Sequence, residues 1–106
     1  MDTKTKMIYE DAVNLFGVDN QINQSVEEMA ELIKELNKFR RNCDYSQLEN
    51  ENNSFRGNVI AEIADVRQML DQLDIIFTIS AIESQEARDR SMKRLLWNME
   101  REGYKK

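Results

Sequence analysis

The chain of 106 residues contains no histidine and no proline, a single cysteine and only three glycines. Without histidine, the commonest general base is missing, and Ser-His catalysis, Cys-His catalysis and histidine metal ligation are excluded. Cys43 has no second cysteine to pair with, so an internal disulfide and a cysteine-based zinc site are excluded as well. Any metal must therefore be held by oxygen, which favours Mg²⁺, with Mn²⁺ as a substitute, or Ca²⁺.

The sequence also lacks an excess of positive charge and a long apolar run. Its 20 acidic and 15 basic residues give a formal net charge of −5 at pH 7, which argues against duplex nucleic acid as a partner. The longest apolar stretch, residues 75–82, contains Thr78 and Ser80 and is too short to cross a bilayer. The first residues form no apolar signal-peptide core, so we expect a cytoplasmic protein that does not enter the membrane.

Helical periodicity is the strongest positive signal. Apolar residues recur at spacings of three and four, and breakers are scarce, so we predict one all-α domain over residues 1–106. A bundle of four to five helices of this size has a modest core, and association with a second copy would help it. The first predicted helix covers residues 6–16. The second begins at Asp19, Asn20 or Asn23 and ends at residue 41, and the last two cover 58–80 and 83–102. Residues 42–57 are predicted as a loop with room for one helical turn.

Two pairs of carboxylates stand out, Glu28 with Glu31 and Glu62 with Asp65. Residues three apart share a helix face, so each pair points one way. At 100° per residue, the face of the second pair continues one turn later with Met69 and not with further charge. The carboxylates therefore border the apolar stripe, where anions are costly unless a cation balances them. Two such helices side by side would gather four carboxylates around one or more Mg²⁺ ions.

Each pair alone has a simpler explanation. Glutamate is a good helix former, and a Glu-x-x-Glu pattern is usually a solvated helix face. Both pairs together, on two long helices and in a chain without histidine, leave the metal site and the solvated surface as open alternatives.

The same residues resemble a known family. Glu28-Met-Ala-Glu31 and Glu62-Ile-Ala-Asp65 are similar to the two halves of the Glu-x-x-Glu and Glu-x-x-Asp motif of the MazG-like all-α nucleoside triphosphate pyrophosphohydrolases. The strings VEEMAELIKELNKFRR and NVIAEIADVRQMLDQL and the final helix, rich in lysine, arginine and leucine, resemble the family too. The resemblance covers residues 16–100.

The resemblance implies a fold and an activity. The fold would be a MazG-like helical bundle completed by homo-oligomerisation, as a homodimer or homotetramer. The four acids would bind Mg²⁺, and water would attack the α-phosphorus of a nucleoside triphosphate, with Glu31 or Glu28 as the base. The products would be a nucleoside monophosphate and pyrophosphate. The role would be house-cleaning, the removal of non-standard or surplus nucleotides.

Five further residues are candidate substrate contacts. Gln24 and Asn58 each precede an acidic pair by one turn and are candidates for touching the base or ribose; as alternatives, Gln24 is a surface residue and Asn58 a helix N-cap. Met69 is either the floor of a base pocket or an ordinary core residue. Lys34 and Arg94 are candidate phosphate contacts, although most basic residues on helices are only solvated.

The sequence leaves rival functions open. One is a non-catalytic acidic helical dimer, acting as an interaction protein or as a mimic of nucleic acid. Another is a protein of the same general kind that binds nucleotides without cutting them.

Overall fold

The fold consists of four α-helices and one short 3₁₀ turn. The computed structural model describes residues 1–105. The helices are α1 (Thr3–Phe16), α2 (Val18–Asn42), α3 (Ser54–Ile76) and α4 (Ala81–Arg101), and the 3₁₀ turn is Tyr45–Gln47 in the loop between α2 and α3. All regular structure in the described range is helical, which confirms the all-α prediction. None of the helices within residues 1–105 is long and apolar enough to cross a membrane.

Side-chain caps place the starts of α1 and α3 earlier than predicted. The Asp2 carboxylate accepts a hydrogen bond from the backbone N–H of Thr5 at 2.7 Å, so α1 begins directly after Asp2. In the same way, the Asn53 side chain accepts from the backbone N–H of Arg56 at 3.0 Å, and α3 begins directly after Asn53. The prediction that Asn58 caps α3 is therefore wrong, because Asn58 lies inside the helix.

The other helices are separated by a glycine and by a capping box. Gly17 has φ of 90°, a conformation that glycine adopts without strain, and it lets α2 follow α1 without a spacer. The N-caps predicted for α2 at positions 19, 20 and 23 are wrong, since all three residues lie within the helix. Before α4, the Ser80 hydroxyl accepts from the Glu83 N–H at 3.1 Å, and the Glu83 carboxylate accepts from the Ser80 N–H at 3.0 Å. Position 80 therefore starts α4 and does not end α3.

The antiparallel hairpin of α2 and α3 carries most of the packing, and α1 lies against both helices. In the part of the chain that the structure describes, only three apolar residues are buried: Val13, Phe39 and Met69. Gln21 contacts Gln72 towards one end of the hairpin. A single protomer thus has a thin apolar core, and its best-defined interface is the one that bears the acidic pairs.

Helix α4 makes no substantial contact with α1, α2 or α3. The radius of gyration of the Cα atoms is 17.3 Å, whereas a compact domain of this length has about 13 Å. The bundle in one protomer is therefore formed by three helices and not by four. Many large apolar residues are exposed within one protomer, among them Met7, Ile8, Leu15, Phe16, Val26, Ile33, Leu36, Leu70, Phe77, Met92 and Leu95.

Candidate metal site and adjoining groove

Three carboxylates meet across the α2–α3 interface. Glu28 of α2 and Glu62 and Asp65 of α3 each offer one oxygen, and these three oxygens lie within 4.8 Å of one another. The spacing of three residues stacks Glu62 and Asp65 in one turn of α3, and the antiparallel packing brings Glu28 opposite them. Glu28 and Glu62 are half-buried, while Asp65 is exposed. Three of the four predicted metal ligands therefore come together, and we call them the acidic cluster.

Glu31, the fourth predicted ligand, is outside this group. Its side chain is exposed, one turn after Glu28 on α2. Its negative charge still contributes to raising the pKa of Glu62. The structure thus separates Glu31 from the three residues in mutual contact but keeps it on the same side of the hairpin.

The carboxyl group of Glu62 has a raised pKa. Its removal from water raises the pKa of its carboxyl group, and the charges of Glu28 and Asp65 and a hydrogen bond with Glu28 raise it further. The Oε2 atom of Glu62 is buried and has no hydrogen-bond partner among the described residues. A buried, unpartnered oxygen surrounded by like charges is unfavourable. A divalent cation would relieve both penalties, and an all-carboxylate donor set suits Mg²⁺ or Mn²⁺.

A groove with a volume of about 690 Å³ opens beside the acidic cluster, between α1, α2 and α3. Glu28 and Asp65 belong both to the cluster and to the groove wall. Pockets for small organic ligands are about 300–1,000 Å³, so the groove can accommodate a nucleotide. Six carboxamide side chains dominate its polar lining: Asn20, Gln21, Asn23, Gln24, Gln68 and Gln72.

The floor of the groove is a buried pair of glutamines. Gln21 is 7% exposed and Gln72 is 5% exposed, and the Nε2 of Gln21 donates to the Oε1 of Gln72. Nearer the acidic cluster, the Nε2 of Gln24 donates to Oε1 of Glu28 at 2.8 Å. The hydrogen bond from Gln24 to Glu28 therefore links the carboxamides of the groove to the carboxylates of the cluster.

The predicted substrate contacts divide into two groups. Gln24 and Met69 line the groove, with Met69 buried beneath it. Asn58 is exposed on α3 and is not part of the groove wall. Lys34 on α2 and Arg94 on α4 are exposed and also lie outside the wall, so within one protomer they do not approach a ligand in the groove.

Sequence reasoning missed the glutamine pair and Phe16 as groove residues. A usable signal was present, because Gln21 precedes Glu28 by seven residues and Gln72 follows Asp65 by seven. Seven residues are close to two helical turns, so each glutamine shares a helix face with a cluster carboxylate. In antiparallel helices, these offsets bring the two glutamines opposite each other.

The fold and the site define a helical protein with a carboxylate cluster at the edge of a polar groove. The chain matches no protein-family model, and comparisons with curated proteins and with solved structures give no significant match. Any finer assignment therefore depends on the residues of the site and on the motif that they form.

Proposed function

We propose that the protein is a Mg²⁺-dependent, MazG-like nucleoside triphosphate pyrophosphohydrolase that removes unwanted nucleotides from the pool. The observation that carries the proposal is the convergence of Glu28, Glu62 and Asp65 at the edge of a groove of nucleotide size. The order of the motif, Glu-x-x-Glu on α2 and then Glu-x-x-Asp on α3, supports the same assignment. Water would attack the α-phosphorus, the bond to the bridging oxygen would break, and pyrophosphate would leave.

The acidic cluster would hold the ion. When bound, Mg²⁺ would neutralise phosphate charge and polarise the phosphoryl oxygens. The hydrogen bond from Gln24 orients the Glu28 carboxylate through one of its oxygens. Glu31 is exposed and outside the cluster, so of the two predicted bases it is better placed to orient a water and accept its proton.

Homo-oligomerisation is part of the proposal. The protomer has a thin core and α4 is unpacked. Met92 and Leu95, three positions apart and therefore on one face of α4, form an apolar stripe and are 56% and 52% exposed. Burying such a stripe against a second copy would be favourable, at about 25 cal/mol for each Å² of apolar surface removed from water. In a homodimer or homotetramer, α4 of a second copy could also bring Arg94 towards the phosphates.

The test is a product assay on the full chain. With Mg²⁺, standard and modified dNTPs and NTPs are offered, and the release of pyrophosphate is distinguished from the release of phosphate. We expect Glu62→Gln and Asp65→Asn to abolish turnover with unchanged helix content. Asp74→Asn is the matched control, because Asp74 is exposed on α3 away from the cluster and the groove. EDTA should stop the reaction and added Mg²⁺ should restore it.

The same assay separates the rivals. Nucleotide binding without pyrophosphate release identifies a protein that binds but does not cut. A chain that is indifferent to both Mg²⁺ and nucleotides identifies the acidic interaction protein. Turnover that survives exhaustive chelation, or that Glu62→Gln leaves at the wild-type rate, contradicts the proposed site.

A further inference from the structure

The floor of the groove has a composition that packing does not explain. Gln21 and Gln72 are each more than nine-tenths buried, in a protomer with few buried apolar residues. Burying carboxamides is unfavourable unless their hydrogen bonds are satisfied, and an apolar pair of the same size would avoid this cost. Neither side chain is used by the proposed hydrolysis.

The bond between the two glutamines leaves each with unused capacity. A glutamine side chain has a carbonyl acceptor and an amino group with two donors. After Nε2 of Gln21 donates to Oε1 of Gln72, the carbonyl oxygen of Gln21 and the amino group of Gln72 have no further partner in residues 1–105. Neither atom is sealed from solvent, and both residues line the groove. The floor therefore presents one free acceptor, on Gln21, and one free donor, on Gln72, to whatever occupies the groove.

A donor and an acceptor are the two groups that the hydrogen-bonding edge of a nucleobase requires. Every base carries a donor next to an acceptor on that edge, and carboxamide side chains recognise bases through two such bonds. Phe16 lines the same groove and is 56% exposed, which provides an aromatic face for stacking.

The distance from the floor to the acidic cluster is also suitable. Seven residues of helix separate Gln21 from Glu28 and Asp65 from Gln72, a rise of about 10 Å. A ribose and one phosphate bridge a gap of that size. A base on the glutamine floor would thus place its phosphates at the carboxylates.

We propose that the Gln21–Gln72 pair reads the base of a bound nucleotide and sets the base preference of the protein. A base that donates to Gln21 and accepts from Gln72 keeps the bond between the two glutamines as it stands, whereas a base with the reverse order requires both carboxamides to rotate. This difference is how the pair would distinguish a 4-amino base from a 4-oxo base of the same ring size. The inference rests on the proposed function for the phosphate end of the ligand. Recognition of the base itself requires neither metal nor hydrolysis.

The first experiment compares dCTP and dUTP, whose bases differ in this edge. In the wild type, kcat/KM should differ between them by about tenfold or more. Gln72→Met and Gln21→Met preserve side-chain length but remove the hydrogen bonds, and each should bring the ratio close to one. Ser25→Ala is the control, since Ser25 is 2% exposed and bonds only to the backbone carbonyl of Gln21; it should keep the wild-type ratio. The ratio of the two kcat/KM values within one variant does not depend on what fraction of that protein is correctly folded and active.

The second experiment needs neither turnover nor a variant. In EDTA, dCMP and dUMP are titrated into the wild-type protein, and the side-chain amide resonances of Gln21 and Gln72 are followed by NMR. The preferred monophosphate should shift both resonances, and the other should shift them much less. Equal responses to both ligands, or no response of these amides to either, would overturn the inference.

The two proposals fail in different ways. Pyrophosphate release with equal kcat/KM for dCTP and dUTP would support the proposed hydrolase activity and contradict base recognition by Gln21 and Gln72. Selective binding of one monophosphate by a protein that releases no pyrophosphate would support base recognition by Gln21 and Gln72 and contradict the proposed hydrolase activity.

Discussion

Mg²⁺ should stabilise the protein through the acidic cluster. In the apo protein, Glu28, Glu62 and Asp65 repel one another, and Oε2 of Glu62 is buried without a partner. An ion that binds only the folded state at ten times its dissociation constant adds RT ln 11, about 1.4 kcal/mol. Since about 1 kcal/mol moves the Tm of a domain of this size by roughly 4–8 °C, the expected increase in Tm is on the order of 5–10 °C.

The assay is thermal unfolding followed by circular dichroism in EDTA and in millimolar Mg²⁺, at one protein concentration because association also shifts Tm. Glu62→Gln and Asp65→Asn should lose most of the Mg²⁺-dependent increase, and Asp74→Asn should keep it. Glu31→Gln tests whether Glu31 is a metal ligand. If this variant keeps the Mg²⁺-dependent increase in Tm, Glu31 does not bind the ion and its proposed role is that of the base alone. An equal increase in wild type and Glu62→Gln, or none in the wild type, would show that the cluster does not bind the ion.

Three further predictions address pH, capping and assembly. Because the pKa of Glu62 is raised, its contribution to stability is fully present below its ordinary pKa and is lost as pH rises through the raised value. In EDTA, the gain in unfolding free energy from Glu62→Gln should therefore grow from acidic to neutral pH, as urea titrations will show; a constant difference contradicts the shift. Ser80→Ala removes the capping box with Glu83 and should cost about 1 kcal/mol, seen as reduced helicity by circular dichroism; unchanged helicity would mean that the cap is dispensable. Leu95→Glu should dissociate the proposed oligomer in sedimentation, whereas the exposed polar change Arg90→Ser should not; an unaffected assembly would show that the apolar face of α4 is not the interface.

The helices were predictable because hydrophobic periodicity is visible in a single sequence. The positions at which the helices begin and end were less predictable. Gly17 and Gly103 follow the last turns of α1 and α4, as their place in the sequence suggests. The start of α3 was missed because residues 42–57 are rich in asparagine, and only the geometry shows that Asn53, and not Asn58, makes the capping bond. Several polar residues compete for one N-cap, and tertiary packing decides among them.

The acidic cluster was predictable to the level of helix faces. A spacing of three residues puts Glu62 and Asp65 in one turn whatever the tertiary structure is. The separation of Glu31 from Glu28 was not predictable, because it depends on the rotation of α2 against α3. The groove was missed for a related reason. Helix α1 contributes Phe16 to the groove wall, and the angle between α1 and α2 at Gly17 cannot be read from hydrophobic periodicity.

The distribution of unpaired polar groups supports the proposed binding site over a solvated acidic face. Among residues 1–105, two buried carboxylate oxygens have no partner, and one of them belongs to Glu35, whose other oxygen already pairs with Lys38 at 3.3 Å. The other belongs to Glu62, whose nearest charged neighbours are all acids. A solvated face would leave every carboxylate in water, and an interaction surface would direct them outward. Here the chain keeps its least compensated carboxylate next to a groove with a buried carboxamide floor, and such local conflicts concentrate at functional sites. The unpartnered oxygen of Glu62 and the carboxamide floor lie beside one groove, which supports the proposed ligand with a cation-binding end and a hydrogen-bonding end.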